Sequence, residues 1–117
     1  MASGTIKNSY GVTDLSITAT AGSEVTIRSI NFRQIGRIVF GYIYFDVTSA
    51  LSDGASIATL SSSLPKPYDV YTNAIVRNSS GSFGMVYIPR DASDKIKAWG
   101  PIPAGTYNYA QFIYVLR

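Results

Sequence analysis

Residues 36–47, with the sequence GRIVFGYIYFDV, carry apolar or aromatic side chains on both faces of the β-strand that this run predicts. Successive side chains of a strand point to opposite faces. The two faces consist of Ile38, Phe40, Tyr42 and Tyr44, and of Val39, Ile43, Phe45 and Val47. An antiparallel sheet in a small domain commonly leaves one of its faces in water. Something must therefore cover the second face of this strand.

The carboxyl-terminal residues 106–116 repeat this property. Their two faces carry Tyr107, Tyr109, Ile113 and Val115, and Ala110, Phe112, Tyr114 and Leu116. Two explanations are open. Loops or closure into a barrel can leave ordinary half-exposed tyrosines, whose hydroxyl groups stay in water. Alternatively, identical chains cover a contiguous apolar patch. Only 15% of the residues are charged, against about 25% in a typical soluble domain, and this shortage favours self-association.

Short turn-forming segments separate runs rich in Val, Ile, Thr, Tyr and Phe, a pattern typical of an all-β domain. The five prolines lie at or beyond the ends of these runs, where a sheet tolerates them. The alternation changes phase near Arg28–Ser29, which predicts a β-bulge. We therefore predict one antiparallel, jelly-roll-like β-sandwich domain over residues 14–117. Residues 1–13 are the least patterned part and are predicted to form an amino-terminal arm or the tie to an upstream region.

The residue types present argue against catalysis. The chain contains neither histidine nor cysteine, which removes the Ser–His and Cys–His nucleophile pairs. A glycosidase needs two carboxylates across a cleft. Asp91 and Asp94 are close in sequence, but they are interpreted as turn residues. A Ca²⁺ site at Asp91, Ser93 and Asp94 would need further oxygen ligands. We predict a protein that is not an enzyme and that holds no metal or cofactor.

Charge and hydropathy exclude two further classes of partner. The net charge is +3, and the ten lysines and arginines are scattered along the chain, whereas a nucleic-acid-binding surface needs them clustered. The first ten residues lack the apolar segment of a signal peptide. No apolar run approaches the roughly 20 residues of a membrane span. We expect a soluble protein with no nucleic-acid partner and no membrane insertion.

Several motifs follow the long strand in a characteristic order. They are Gly54, Ile57, Ala58, Leu64, Pro65 and Pro67 in one stretch, a hairpin over residues 81–88, the turn of Ala104, Gly105 and Tyr107, and a closing aromatic strand that ends near Tyr114. Over residues 25–117 the chain resembles the carboxy-terminal head domains of bacteriophage tail-fibre and baseplate receptor-binding proteins. The resemblance implies a β-sandwich or jelly-roll head that forms a parallel homotrimer in the virion, beside other tail proteins. It also implies recognition of host-surface saccharides or proteins without chemistry.

Two segments supply candidate ligand-binding residues, because saccharide binding needs aromatic faces beside hydrogen-bonding groups. The candidates are Trp99, Arg90 and Asp91 around one strand end, and Tyr68, Tyr71 and Asn73 in the stretch KPYDVYTN. The alternatives are core packing for the tryptophan and loop anchoring for the tyrosines. Convergence of the two segments would favour a ligand site.

These observations together predict a host-adhesion domain of a phage tail fibre or baseplate that binds a cell-surface saccharide non-covalently. The alternative is an assembly domain of the phage particle with no host ligand.

Overall fold

The computed structural model describes residues 11–66 and 71–116, with the side chains of all of these except Tyr71, Ser82 and Phe83. The described residues form nine strands. They are β1 (Val12–Asp14), β2 (Ala19–Ala21), β3 (Val25–Ile35), β4 (Ile38–Val47), β5 (Ser56–Leu60), β6 (Tyr71–Asn78), β7 (Gly81–Pro89), β8 (Lys95–Trp99) and β9 (Gly105–Val115). No helix long and apolar enough to cross a membrane occurs in these ranges.

All strands belong to one antiparallel sheet in the order β1-β3-β4-β9-β6-β7-β8-β5-β2. The sheet curves into a half-barrel and brings the edge strand β2 near β3. The predictions of an all-β chain and of antiparallel pairing are confirmed.

Local features of the sequence reappear in the strand register. The predicted bulge is confirmed, because the register between β3 and β4 shifts between Ile27 and Ser29. The predicted hairpin around NSSGS is β6–β7, with Asn78 opposite Gly81. The predicted boundary between residues 13 and 14 falls within β1, whose three residues pair with β3. Residues 1–10 of the predicted arm lie outside the described residues.

One side of the sheet, the inner side, encloses the core. Its fully buried large side chains are Phe32, Phe45, Phe112, Ile43, Ile57, Leu64, Ile88, Ile96, Ile102, Val39, Val76 and Val86. The rings of Phe32 and Phe112 lie 6.0 Å apart between their centroids. Gly41 of β4 is buried beneath Phe32, and its missing side chain leaves room for that ring. The core thus depends on a glycine within β4.

Hydrogen bonds fasten the loop that follows β5 to β9 and to the turn after β7. The Tyr114 hydroxyl donates to the Pro65 carbonyl at 2.8 Å, and burial raises the pKa of Tyr114. The Leu64 backbone amide donates to the Ser93 carbonyl at 2.9 Å. Since Leu64 is buried, this loop closes part of the core.

In the centre of the opposite, outer side of the sheet, tyrosine rings pack against one another. The Tyr42 and Tyr109 rings stack at 5.8 Å, and Tyr44 lies 5.1 Å from Tyr109. These tyrosines therefore partly explain the second apolar face. At one end of the outer side, four aliphatic side chains remain exposed. This apolar end consists of Ile35, Ile38, Ile113 and Val115, and Ile113 and Val115 are 70% and 52% exposed.

An ion pair stabilises the other end of β4. The Asp46 carboxylate accepts hydrogen bonds from the Arg28 guanidinium at 2.8 Å and from the Tyr107 backbone amide at 2.9 Å. The Arg28 guanidinium also lies 4.0 Å from the centre of the Tyr107 ring. Tyr107 has a φ of +55°, a backbone conformation that side chains other than glycine adopt at some cost. Asp46 and Arg28 thus hold this residue in a strained conformation.

This ion pair predicts a pH-dependent part of the stability. The hydrogen bond from Arg28, followed by that from Tyr107, lowers the pKa of Asp46 below its ordinary value of 3.8. A carboxylate whose pKa is lower in the folded state stabilises the fold above the unfolded-state pKa, and this contribution is lost as pH falls through the folded-state pKa. The Tm difference between the native chain and Asp46→Asn should therefore shrink between about pH 6 and about pH 2.

Thermal unfolding monitored by circular dichroism measures this difference. The variant Arg28→Gln serves as the matched partner, because it removes the main cause of the lowered pKa. It should lose most of the pH-dependent part of the stability, while the hydrogen bond from the Tyr107 amide keeps the rest. A Tm difference that stays constant over this range would contradict a role for the ionised Asp46.

Candidate ligand-binding groove

A depression on the outer side lies where β6 separates from β9. These strands share one register pair, Arg77 with Tyr109, whereas β4 and β9 pair along almost their whole length. The resulting groove has a volume of about 610 Å³ and is lined by Asn73, Ala74, Ile75, Arg77, Met85, Tyr109 and Gln111. An opening in the sheet therefore creates a shallow surface site.

The lining of this groove combines an aromatic ring with hydrogen-bonding groups. Tyr109 is half-buried and is held by its contacts with Tyr42 and Tyr44. Asn73, Arg77 and Gln111 are exposed. Alternation along β6 places Asn73 and Arg77 on the same side of the strand. The groove thus offers a positioned ring flanked by two amides and one guanidinium.

A second, smaller depression lies beside the groove. It has a volume of about 260 Å³ and is lined by Asn31, Arg33, Phe40, Gly41, Tyr42 and Gln111. Gln111 lines both depressions. In the strand register, Asn31 lies opposite Tyr42, and Tyr42 lies opposite Gln111. The two depressions therefore form neighbouring parts of one surface across β3, β4, β9 and β6.

The structure places the sequence candidate Trp99 on the outer side of β8, which is the second strand from β6 in the sheet. It lies opposite Met85 in the register, and its ring is 5.2 Å from that of Tyr87. The side chain is 45% exposed, so core packing does not explain it. The strand ends directly after Trp99, where the Gly100 backbone amide donates to Asp53 Oδ1 at 2.7 Å.

Of the other sequence candidates, Asn73 lies on a strand, and Arg90 and Asp91 lie in a turn. Asn73 lies opposite Tyr87, which lies opposite Lys97, so it shares the outer side with Trp99. Arg90 and Asp91 are exposed in the turn that follows β7. β8 runs antiparallel to β7, so this turn and Trp99 lie toward opposite ends of the strand pair. The structure therefore does not bring Arg90 and Asp91 to Trp99.

Tyr71 begins β6, but its side chain is not among those described, and Tyr68 lies outside the described residues.

The described acidic side chains are mostly engaged away from the groove. Asp14 accepts from the Ser16 amide, Glu24 from the Thr48 hydroxyl, Asp46 from Arg28, and Asp53 from the Gly100 amide, while Asp94 faces Lys95 at 3.8 Å. No aspartate or glutamate is among the described residues that line either depression. Within the same described ranges, no three His, Cys, Asp or Glu side chains cluster as metal ligands would.

Three polar or aromatic residues of the groove, Arg77, Tyr109 and Gln111, were not identified as candidates from the sequence. Arg77 counted only as one of the scattered basic residues, and Tyr109 and Gln111 belonged to a strand assigned to packing. A usable signal was present in the alternation of the predicted strand over residues 70–77, which places Asn73, Ile75 and Arg77 on one face. The separation of β6 from β9 has no comparable local signal.

No model of a known protein family matches this sequence, and no curated protein matches it either. The function proposed below therefore rests on the groove and on the resemblance to bacteriophage receptor-binding heads.

Proposed function

We propose that this chain is a non-catalytic adhesion domain that binds a host-surface saccharide in the groove between β6 and β9. The observation that carries the proposal is the grouping of Tyr109 with Asn73, Arg77 and Gln111 in a shallow depression. A tyrosine ring offers an apolar face for the C–H side of a sugar, and the amides and the guanidinium can donate to and accept from its hydroxyls. The absence of carboxylates among the described lining residues supports binding rather than glycoside hydrolysis.

We place this domain at the tip of a phage tail fibre or in a baseplate of the virion, and we propose that its curved sheet forms a jelly-roll-like sandwich. Both parts of the proposal rest on the order of motifs, which resembles that of the receptor-binding heads. A shallow groove buries little of a ligand, so each site binds weakly. Several copies in one particle raise the overall affinity through their effective concentration.

We further propose that three copies associate through the apolar end of the outer side. Exposed aliphatic patches of this kind usually mark interfaces, and Ile113 and Val115 are more than half exposed in the single chain. Gln111 of the groove and Ile113 of the apolar end lie two residues apart on the same face of β9, so the two surfaces adjoin. The apolar end also supports a second candidate function, that of an assembly domain without a host ligand.

Two groove substitutions test saccharide binding. Tyr109→Ala and Asn73→Ala should each lower the affinity for a bound glycan by up to about tenfold, because each removes up to about 1.4 kcal/mol of stacking or hydrogen bonding. Asn73 is exposed, so its replacement cannot open the core. A glycan array identifies the ligand with the native chain, and titration calorimetry then measures the variants.

The control is Arg90→Ala, because Arg90 is exposed in the turn after β7 and lines neither depression. It should change the affinity less than twofold. Loss of binding in Arg90→Ala but not in the groove variants would move the site to the turn after β7. No binding to any glycan or to host cells would favour the assembly role.

A further inference from the structure

We propose that the groove selects saccharides that carry carboxylate or phosphate groups, an inference that rests on the proposed saccharide-binding function. The geometry that points to this ligand class is a guanidinium group in each of the two neighbouring depressions that has no ion-pair partner among the described residues. These are Arg77 in the groove and Arg33 in the smaller depression.

Arg33 and Arg77 differ from two other arginines of the described chain. Arg28 is bonded to Asp46 and lies over Tyr107, and Arg37 donates to the Leu116 carbonyl. Within the described ranges, the guanidinium groups of Arg33 and Arg77 form neither a hydrogen bond nor an ion pair. A lone exposed arginine is usually just solvated. A pair of them lining adjacent depressions beside positioned rings is better suited to ligand recognition.

The electrostatic surroundings favour a negative ligand. The described lining residues of the two depressions include both arginines but no acidic residue. Asp14 lies opposite Arg33 in the register, but its carboxylate accepts the Ser16 amide at 2.8 Å and forms no described ion pair with Arg33. Lys97 shares a register row with Asn73 on the outer side. Guanidinium groups bind carboxylates and phosphates through two parallel hydrogen bonds.

The spacing of the two arginines indicates an extended ligand. Arg33 on β3 and Arg77 on β6 are three strand spacings apart, which is about 14 Å. In the register across the strands, Arg33 lies level with Phe40 and Ile113, and Arg77 lies level with Tyr109. The offset between Ile113 and Tyr109 along β9 separates the two arginines by about 13 Å more in the strand direction. No single carboxylate or phosphate group spans this distance. An oligosaccharide with more than one negative group would engage both depressions across Gln111.

The experiment compares acidic glycans with chemically neutralised forms of the same glycans. The native chain is screened on an array containing neutral, carboxylate-bearing and phosphate-bearing oligosaccharides. Each acidic glycan that binds is then titrated beside its methyl-esterified or dephosphorylated counterpart. We expect at least a tenfold loss of affinity on neutralisation, as for a charge-assisted hydrogen bond. The two types of counterpart distinguish carboxylate from phosphate as the recognised group.

Substitution of the arginines links the preference to the two depressions. Arg77→Gln should reduce the preference for the acidic over the neutralised glycan at least fivefold, with Arg33→Gln acting in the same direction. The control Lys66→Gln changes the net charge equally at an exposed site and should keep the preference. Equal affinity for acidic and neutralised glycans, or binding of neutral glycans only, would overturn this inference and leave saccharide binding intact. Failure to bind any glycan would overturn both.

Discussion

Replacing Gly41 by alanine is expected to lower the free energy of unfolding by about 3 kcal/mol or more. A Cβ atom at this position would lie only 2.4 Å from Phe32 Cδ1 and 2.4 Å from the Asn31 carbonyl oxygen. The Phe32 ring is fully buried and packs near Phe112, so it has no free space in which to move. The clash therefore has to displace the backbone of β3 or β4, the strands that support the outer surface.

Urea denaturation of the native and variant chains measures this change. The matched control is Gly54→Ala, because Gly54 has a φ of +81° and no atom within 4 Å of an added Cβ. It should cost only about 1 kcal/mol, the usual cost of a left-handed conformation for a side chain other than glycine. Equal losses in the two variants would show that backbone conformation, and not packing against Phe32, explains the glycine at position 41.

The second large effect is expected from Ile113→Lys, which should convert the proposed trimer into a folded monomer. Ile113 is the most exposed of the large apolar side chains in the described chain, so a lysine there can stay in water without disturbing the monomer. In a threefold assembly each copy would bring one ammonium group into an apolar interface, and an unpaired charge in such a place is strongly unfavourable. Light scattering for the molar mass and circular dichroism for the fold measure the two parts of this prediction.

The control for this substitution is Ile75→Lys. Ile75 is also an exposed isoleucine of the outer side, at 49%, but it lines the groove instead of the apolar end. It should leave the molar mass unchanged. Dissociation caused by Ile75→Lys but not by Ile113→Lys would place the interface over the groove and would contradict the division of the outer side into two surfaces.

The sequence predicted the strands well, because their alternation and their turns are local properties. The two faces of β4 and β9 were assigned correctly, with Val39, Ile43 and Phe112 buried. The bulge near Arg28 followed from a change of phase within β3. Each of these features depends on neighbours within a few residues, and such neighbours can be read along the chain.

The candidate site was less predictable, because it depends on which distant strands become neighbours. β6 and β9 meet at Arg77 and Tyr109 and then separate, and nothing near either residue in the sequence indicates this. Closeness in sequence grouped Trp99 with Arg90, although the antiparallel course of β7 and β8 sets them toward opposite ends. The strand alternation alone could have grouped Asn73 with Arg77.

The central claim is that the apolar end of the outer side is covered by further copies of the same chain. The molar mass of the native protein in dilute solution, measured by light scattering, tests it most directly. We predict three times the 12.7 kDa of the single chain. A molar mass of 12.7 kDa for a folded protein across the measurable concentration range would contradict it.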